Sequence, residues 1–181
     1  MASHIASLIM EAMNAECCQN FAGPKHTLVD FHRMMTRLVE MEDSQYSYRN
    51  VLAAYTSSGI LAGICVAYDG AKLHQLRRRF YEAALEAFGI DYTGMADETE
   101  DGEFYIDSLA VSSNFRGKGI ASQLLQATIE RGAELGIPTV GLLVDKGNPK
   151  AEALYQRLGF VYVNDSTWGG HPMRHLQYKK N

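Results

Sequence analysis

The sequence predicts an α/β fold built as one domain over residues 1–181, and three observations carry that prediction. Apolar residues recur at helical spacing in several segments, β-branched and aromatic runs alternate with those segments, and two of the runs flank a single helix as a parallel β-α-β unit. At 181 residues with 46% hydrophobic side chains, the chain is long enough for one core and too apolar for disorder. Its 17 Lys plus Arg against 21 Asp plus Glu leave a net charge of −4, which removes the basic footprint of a nucleic-acid or anionic-membrane binder. The apolar run 60–68 is interrupted by Gly63 and stops at Asp69, far short of the roughly 20 residues that span a bilayer. Residues 1–13 lack a basic start and carry Glu11, so no export signal is read. Cys17, Cys18 and Cys65 form no C-x-x-C pair and are read as small packing residues or as exposed on the first helix. A reducing, cytoplasmic setting is the expectation.

In chain order, Ile5, Leu8, Ile9, Ala12 and Met13 mark one helical face, so the chain opens into a helix. Thr27 and Asp30 have capping-box spacing, and Leu28, Phe31, Met35 and Leu38 form the stripe of a second helix; two helices therefore come first. Residues 51–56 and 60–68 are strands joined through Ser57, Ser58 and Gly59 as an antiparallel hairpin. Leu73, Leu76, Phe80, Ala84 and Ala87 predict a helix over 71–88, stopped by Gly89. Five carboxylates crowd 97–103, which predicts a solvated loop, although its position just before the next strand could bring it to the mouth of an acceptor site, where it would favour a cationic amine. A strand at 104–111 follows. A helix over 119–135 comes next, with Ala121, Leu124, Leu125, Thr128 and Leu135 on its buried face and Gly136 and Pro138 ending it. Residues 139–144 form the strand that completes the parallel unit. Asn148 caps a last helix that has Pro149 at its first position and Gly159 beyond its end. Strands at 160–164 and 173–178 surround a Trp-Gly-Gly-His-Pro loop.

The most informative segment is YIDSLAVSSNFRGKGIASQLL, a strand running into a glycine-rich turn that opens a helix. Backbone N–H groups at a helix start lack internal partners and face a positive dipole end, so Arg116, Gly117, Lys118, Gly119, Ile120 and Ala121 are placed to wrap a phosphate or pyrophosphate. A dinucleotide fingerprint needs glycine where Ser122 stands, and a Walker loop needs Ser or Thr where Gly119 stands, so both lose. On the strand before the turn, Glu103, Tyr105, Asp107 and Leu109 alternate onto one face.

The run Arg116-x-x-Gly119-x-Ala121, behind Leu109-Ala110-Val111, resembles the acyl-CoA pyrophosphate motif (Q/R-x-x-G-x-G/A) of the GNAT superfamily of N-acyltransferases, and NPKAEALYQRLGF from Asn148 resembles that superfamily's second signature. The resemblance covers 51–178 and implies a mixed, mostly antiparallel sheet with a parallel β-α-β splay at the acyl-CoA site and helices on both faces. Few residues precede Ile5, so the family's first strand is expected to be absent or non-standard. The implied reaction is direct transfer of an acetyl group from acetyl-CoA, without a metal, to a primary amine of a small molecule or peptide. By the same resemblance, the backbone of Leu109, Ala110 and Val111 holds the pantetheine and thioester carbonyl. Asn148 hydrogen-bonds the pantetheine arm and Tyr155 is the acid that protonates the departing thiolate. An alkylamine of pKa roughly 10 must first lose a proton, and Asp107 is the first choice of base, directly or through water, with Glu103 as a more exposed alternative. The rival class is a CoA-binding regulatory module with little turnover.

Plainer readings stand beside these. Tyr155 could pack with Leu154 and Leu158, and Asp107 could cap a neighbouring backbone. His171 and His175 are four apart, yet no carboxylate or thiol is near them in sequence, so no metal site is assigned. Residues 77–79, three consecutive arginines, are read as a solvated face. The segment 71–102 is long for a connection; its helix, through Leu76, Phe80, Tyr81 and Phe88, either roofs the acceptor cleft, joins two copies as a homodimer, or buries its stripe on the domain's own sheet.

Overall fold

Three helices precede any strand, one more than the sequence predicts. In α1 (Ala2–Met13), Ile5, Ala6, Leu8 and Ile9 are buried on one side. Asn14, at a φ of 69°, ends that helix, and its side-chain oxygen accepts the Cys17 amide at 2.9 Å to start α2 (Ala15–Ala22). This eight-residue helix buries only Cys18 and Ala22, too few positions to leave a periodic stripe, and it places Cys17 and Cys18 on the second helix. The predicted capping box begins α3 (Leu28–Glu40), where Thr27 and Asp30 exchange backbone hydrogen bonds. Phe31, Met34, Met35, Leu38 and Val39 carry its buried face, whereas Leu28, in the first turn, is 36% exposed.

The computed structural model describes residues 1–179. The hairpin forms as expected from β1 (Val51–Tyr55) and β2 (Leu61–Asp69). After α4 (Leu73–Phe88) comes a connection without regular structure, then β3 (Phe104–Val111), α5 (Ile120–Glu134), β4 (Thr139–Asp145) and α6 (Pro149–Arg157). The chain closes with β5 (Val161–Trp168) and β6 (His171–Lys179). Trp168 and His171 pair across Gly169 and Gly170, both at positive φ, so the predicted five-residue loop is a tight two-residue turn and both strands are longer than expected. Leu135, placed on the buried face of α5, is 50% exposed because the helix ends before it.

The sheet order is β1-β2-β3-β4-β6-β5, antiparallel except for β3 with β4, and among the described residues no strand precedes β1. One face packs Ile64, Val66 and Ala110 against α1–α4, and the other packs Cys65, Phe104, Ile106, Val140 and Leu142 against α5, with Leu154 and Leu158 of α6 at its margin. β2 is covered on both sides, which is why its sequence is a near-continuous apolar run. Phe31, Met35 and Leu38 are fully buried, each worth about 1.5–3 kcal/mol of burial. No helix among the described residues is long and apolar enough to cross a membrane.

α4 buries Phe80, Ala83, Ala84 and Phe88 among α2 and α3, so its stripe belongs to the domain's own core. The internal packing the sequence allowed for is therefore what buries Phe80 and Phe88, rather than a roof over the acceptor cleft. The solvated arginine face is also corrected. Arg77 is only 1% exposed and pairs with Glu98 at 2.8 Å, while Arg79 pairs with Asp43 and Glu82 on the surface.

Two details of β3 position everything that follows. Its pairing with β4 lasts only from Phe104–Ile106 against Val140–Leu142, after which the strands diverge. At the same place β2 pairs Val66 with Ser108 and Ala67 with Ile106, which leaves Asp107 as an extra, bulged residue. The bulge breaks the predicted alternation, since Leu109 packs on the α5 side while Ala110 joins the α1 side. Beyond Ile106, the β4-facing edges of both strands carry main-chain groups with no ladder partner.

Candidate active site

At the open end of β3 the chain turns through Ser112–Phe115 into the glycine loop. Gly117 and Gly119 have φ of 74° and 78°, a region that side chains with a Cβ avoid, and open space lies where a Cβ on either would be. Gly119 is the N-cap of α5 with no side-chain cap. Among the described residues no acceptor takes a backbone N–H from Arg116 to Ser122; the first amide of the helix to find one is that of Gln123, 3.1 Å from the Gly119 carbonyl. Seven backbone donors are therefore left without an internal partner at a positive helix end. The two basic side chains are less free than the sequence suggests. Arg116 donates to the Val111 carbonyl at 2.9 Å and meets Glu11 at 3.4 Å, and Lys118 lies over the Phe115 ring at 5.3 Å. The donors of this cradle are main-chain groups first.

The splay between β3 and β4 opens into a cleft of about 350 Å³. Asp107, Ser108 and Leu109 line one wall and Leu143, Val144 and Asp145 the other; Asn148, Ala151 and Tyr155 of α6 close one side, and Glu11, Asn14 and Cys17 close the opposite one. The predicted pair seven residues apart on α6 thus meets the same cavity as the predicted carboxylate. Glu103, Ala110, Val111 and residues 116–121 do not line it; the cradle lies further along, past the end of β3.

Asn148 spends its side-chain oxygen on the Ala151 amide at 3.2 Å, which leaves its amide nitrogen for a ligand. Tyr155 stacks edge-on against Phe160 with centroids 5.9 Å apart, so the packing role is real. Its hydroxyl nevertheless meets no partner among the described residues, and burial raises its pKa, so it keeps its proton at neutral pH.

Asp107 accepts three side-chain hydrogen bonds: Oδ2 from Tyr68 at 2.9 Å and from Gln45 at 3.2 Å, and Oδ1 from Ser108 at 2.9 Å. It caps no backbone. Burial pushes its pKa up against the opposing pull of those donors. Glu98 lines the same cleft; the sequence reading places the acidic segment in solvent or at the acceptor mouth and does not single out this residue. Its side chain is 5% exposed, and one oxygen pairs with Arg77, which also donates to the Ala96 carbonyl at 3.0 Å. Burial, followed by the charge of Asp107, pushes Glu98 up to about 7. A signal did exist: Arg77 falls four after Leu73 and three before Phe80, on the apolar stripe, where an arginine must bring its own counter-charge inside. Tyr46, Tyr68 and Tyr105 surround the pair, all raised by burial. The cleft holds Glu11, Glu98, Asp107 and Asp145; among the described residues no Lys or Arg lines it, and the buried Trp168 indole N–H in the same wall has no partner.

Glu103, the alternative base, is corrected. It is 1% exposed, outside the cleft, and its Oε2 accepts from His175 Nε2 at 2.6 Å and Gln177 at 2.7 Å. It lies flat over Gly141 of β4, where any side chain would collide with its carboxylate. Strand alternation places Glu103 on the face of Asp107 as predicted, but before the strands part, so it is walled in rather than exposed. Carboxylates distant in sequence do reach His175: Glu100 and Glu103 bring ligand-type atoms within 4.8 Å of it and of each other. The Glu103 and His175 atoms are already bonded to one another, and that bond raises the His175 pKa.

With this geometry in place, comparison with known proteins identifies the family. The profile of the acetyltransferase (GNAT) family matches residues 36–160, more than half of the chain, and the chain belongs to that family. Mycothiol acetyltransferase of Propionibacterium freudenreichii is 37% identical over 78 residues, 42% of this chain and 24% of its own length. The N-alpha-acetyltransferase MAK3 of Arabidopsis thaliana is 40% identical over 67 residues, 37% of this chain and 35% of its own. The chain thus spans about a quarter to a third of these curated relatives. A solved acetyltransferase structure superposes with a TM-score of 0.78 at 26% identity, covering 98% of this chain and 94% of that one.

Proposed function

We propose that this member of the GNAT family is an N-acetyltransferase, one domain over residues 1–181, that moves an acetyl group from acetyl-CoA to a primary amine of a small molecule or peptide. The observation that carries this reading is the alignment of two features along one splayed pair of strands: a cradle of unpaired amides past the end of β3, and a cleft with a protonated Tyr155 facing carboxylates. The separation suits a long coenzyme, anchored by its diphosphate at residues 116–121 and extended along the unpaired edge of Leu109, Ala110 and Val111 toward the cleft. Free main-chain groups there would take the hydrogen bonds of the pantetheine arm, with the Asn148 amide nitrogen opposite, and a β3 amide would meet the oxyanion of the tetrahedral intermediate.

In this reading the coenzyme supplies the thioester as cosubstrate, and this chain's residues position it and move protons. Tyr155 donates to the departing sulfur, its raised pKa keeping the proton available at pH 7. Asp107 stands on the catalytic strand at the bulge, where its carboxylate faces the amine end. Of the two relatives, one is a mycothiol acetyltransferase and the other an N-alpha-acetyltransferase, which supports both acceptor classes. The cytoplasm, where acetyl-CoA is made and used, is the proposed setting.

The deciding experiment is an acceptor panel of small amines and peptides incubated with acetyl-CoA, following release of free thiol. Amine-dependent release supports the reading. Acetyl-CoA binding, seen as a thermal shift worth about 2.7 kcal/mol at a hundred times Kd, without release on any amine would point to a regulatory module instead.

A further inference from the structure

Asp107 is the expected base by its place on β3, yet its oxygens are occupied. Oδ2 accepts two hydrogen bonds and Oδ1 one, all from neutral side chains that favour its charged form and hold it still. Glu98 differs. One of its oxygens is fixed by Arg77, and the other has no partner among the described residues in a side chain that lines the cleft. Arg77 is itself pinned by the Ala96 carbonyl and sealed in α4, so the 71–102 segment works as an arm that delivers one carboxylate into the cavity.

We propose that Glu98 is a catalytic residue: it receives the acceptor's ammonium group and takes up its proton, with Asp107 as the fixed second carboxylate of the pair. The proposal rests on the acetyl-transfer reading and narrows the acceptor to an amine that arrives as a cation. One proton passes from the ammonium to the free Glu98 oxygen, and the nitrogen lone pair forms the C–N bond to the thioester carbon. The C–S bond then breaks, sulfur takes the Tyr155 proton, and the second nitrogen proton restores Tyr155. Glu98 releases its proton to solvent, for a net yield of amide, free thiol and one proton. A base that titrates near neutrality matches this task, and burial pushes Glu98 up to about 7. The titratable and charged groups facing it are Arg77 from α4, Asp97 beside it, Tyr105 and Asp107 from β3, Tyr68 from β2, Tyr46, and Cys17 from α2; Glu11, Asp145 and His171 line the rest of the cleft.

The test compares wild type and Glu98→Gln on two acceptors, an alkylamine that is cationic at pH 7 and an arylamine that is already neutral, from pH 6 to 9.5. In Glu98→Gln the amide oxygen still accepts from Arg77; should that variant unfold, Arg77→Met with Glu98→Gln removes both buried charges together. For wild type, kcat/KM on the alkylamine rises through about pH 7 and then levels. For the variant it falls on the order of a hundredfold at pH 7 and keeps climbing toward the amine's own pKa, while the arylamine rate stays within about threefold. Unchanged profiles on both amines would overturn the proposal and leave the acetyl-transfer reading standing. An equal loss on both, with weaker acetyl-CoA binding, would also overturn it, making Glu98 a wall residue. Failure of wild type to acetylate any amine would overturn both.

Discussion

The amide cradle and the cleft are built by different means. The cradle at residues 116–121 is one contiguous stretch of main chain, whose donors exist because a helix starts there and two glycines hold the backbone at positive φ. The carboxylate end is assembled from side chains far apart in sequence: Gln45 and Tyr68 on Asp107, Arg77 on Glu98. Local chemistry suffices for the first. The second exists only when α4, β2 and β3 are packed, so its stability is the stability of the core. The comparison predicts that damage to the cradle will show as lost coenzyme affinity, and damage to the other end as lost turnover.

The largest effect belongs to Tyr155, which lines the cleft with the carboxylates. Tyr155→Phe should lower kcat by about tenfold to a thousandfold while leaving acetyl-CoA affinity within about twofold, read by steady-state kinetics and calorimetry. A collapse of affinity instead would make Tyr155 part of the coenzyme end and blur the division. Gly119→Val should raise the Kd for acetyl-CoA by at least about tenfold. A Cβ there meets no atom within 4 Å, so the cost comes chiefly from the φ of 78° and from blocking the ligand's approach. If affinity held, the amides would not be the grip.

Glu103 sharpens the boundary from outside the cleft. Glu103→Ala takes this partner from the buried His175 and the half-buried Gln177 and should lower stability by about 1–3 kcal/mol with acetyl-CoA affinity unchanged. Because the folded pKa of His175 is raised, the bond's charge-dependent contribution is fully present below the unfolded value of 6.5 and fades as pH rises through the folded one. Thermal unfolding of wild type and His175→Gln should therefore differ more at pH 5.5 than at pH 9. The smallest effect is expected at Arg116, which is mostly exposed and already engaged by Glu11 and the Val111 carbonyl. Arg116→Ala should weaken acetyl-CoA binding by no more than about tenfold, an effect that shrinks further at high salt.

Much of the fold was legible because it depends on neighbours in sequence. The Thr27–Asp30 capping box, the hairpin at Gly59, the β-α-β unit and the Asn148–Pro149 helix start each rest on a few adjacent residues, and each formed as read. α2 was not legible, since a helix of eight residues buries too little to show a period. At the site, Asn148 and Tyr155 line one cleft as their spacing implied, and Asp107 lines it too, as the family resemblance implied. The sequence does not single out Glu98 and predicts an exposed Glu103, because a like-charged run favours water; it shows that the run could reach the acceptor site, but not which carboxylates are drawn inside. The partners that draw them inside, Arg77 and His175, are 21 and 72 residues away.

By itself the sequence determined where the backbone turns, where helices begin, and hence the glycine loop and its unpaired amides, because these follow from bond rotation and from hydrogen bonds a few residues long. Only the tertiary structure decided which charges are buried, that β3 bulges at Asp107 and parts from β4, and that α4 carries Arg77 inward to set Glu98 in the cleft. The reason is solvation: a carboxylate leaves water only when distant groups arrive together to replace its hydrogen bonds, and no local pattern records that meeting.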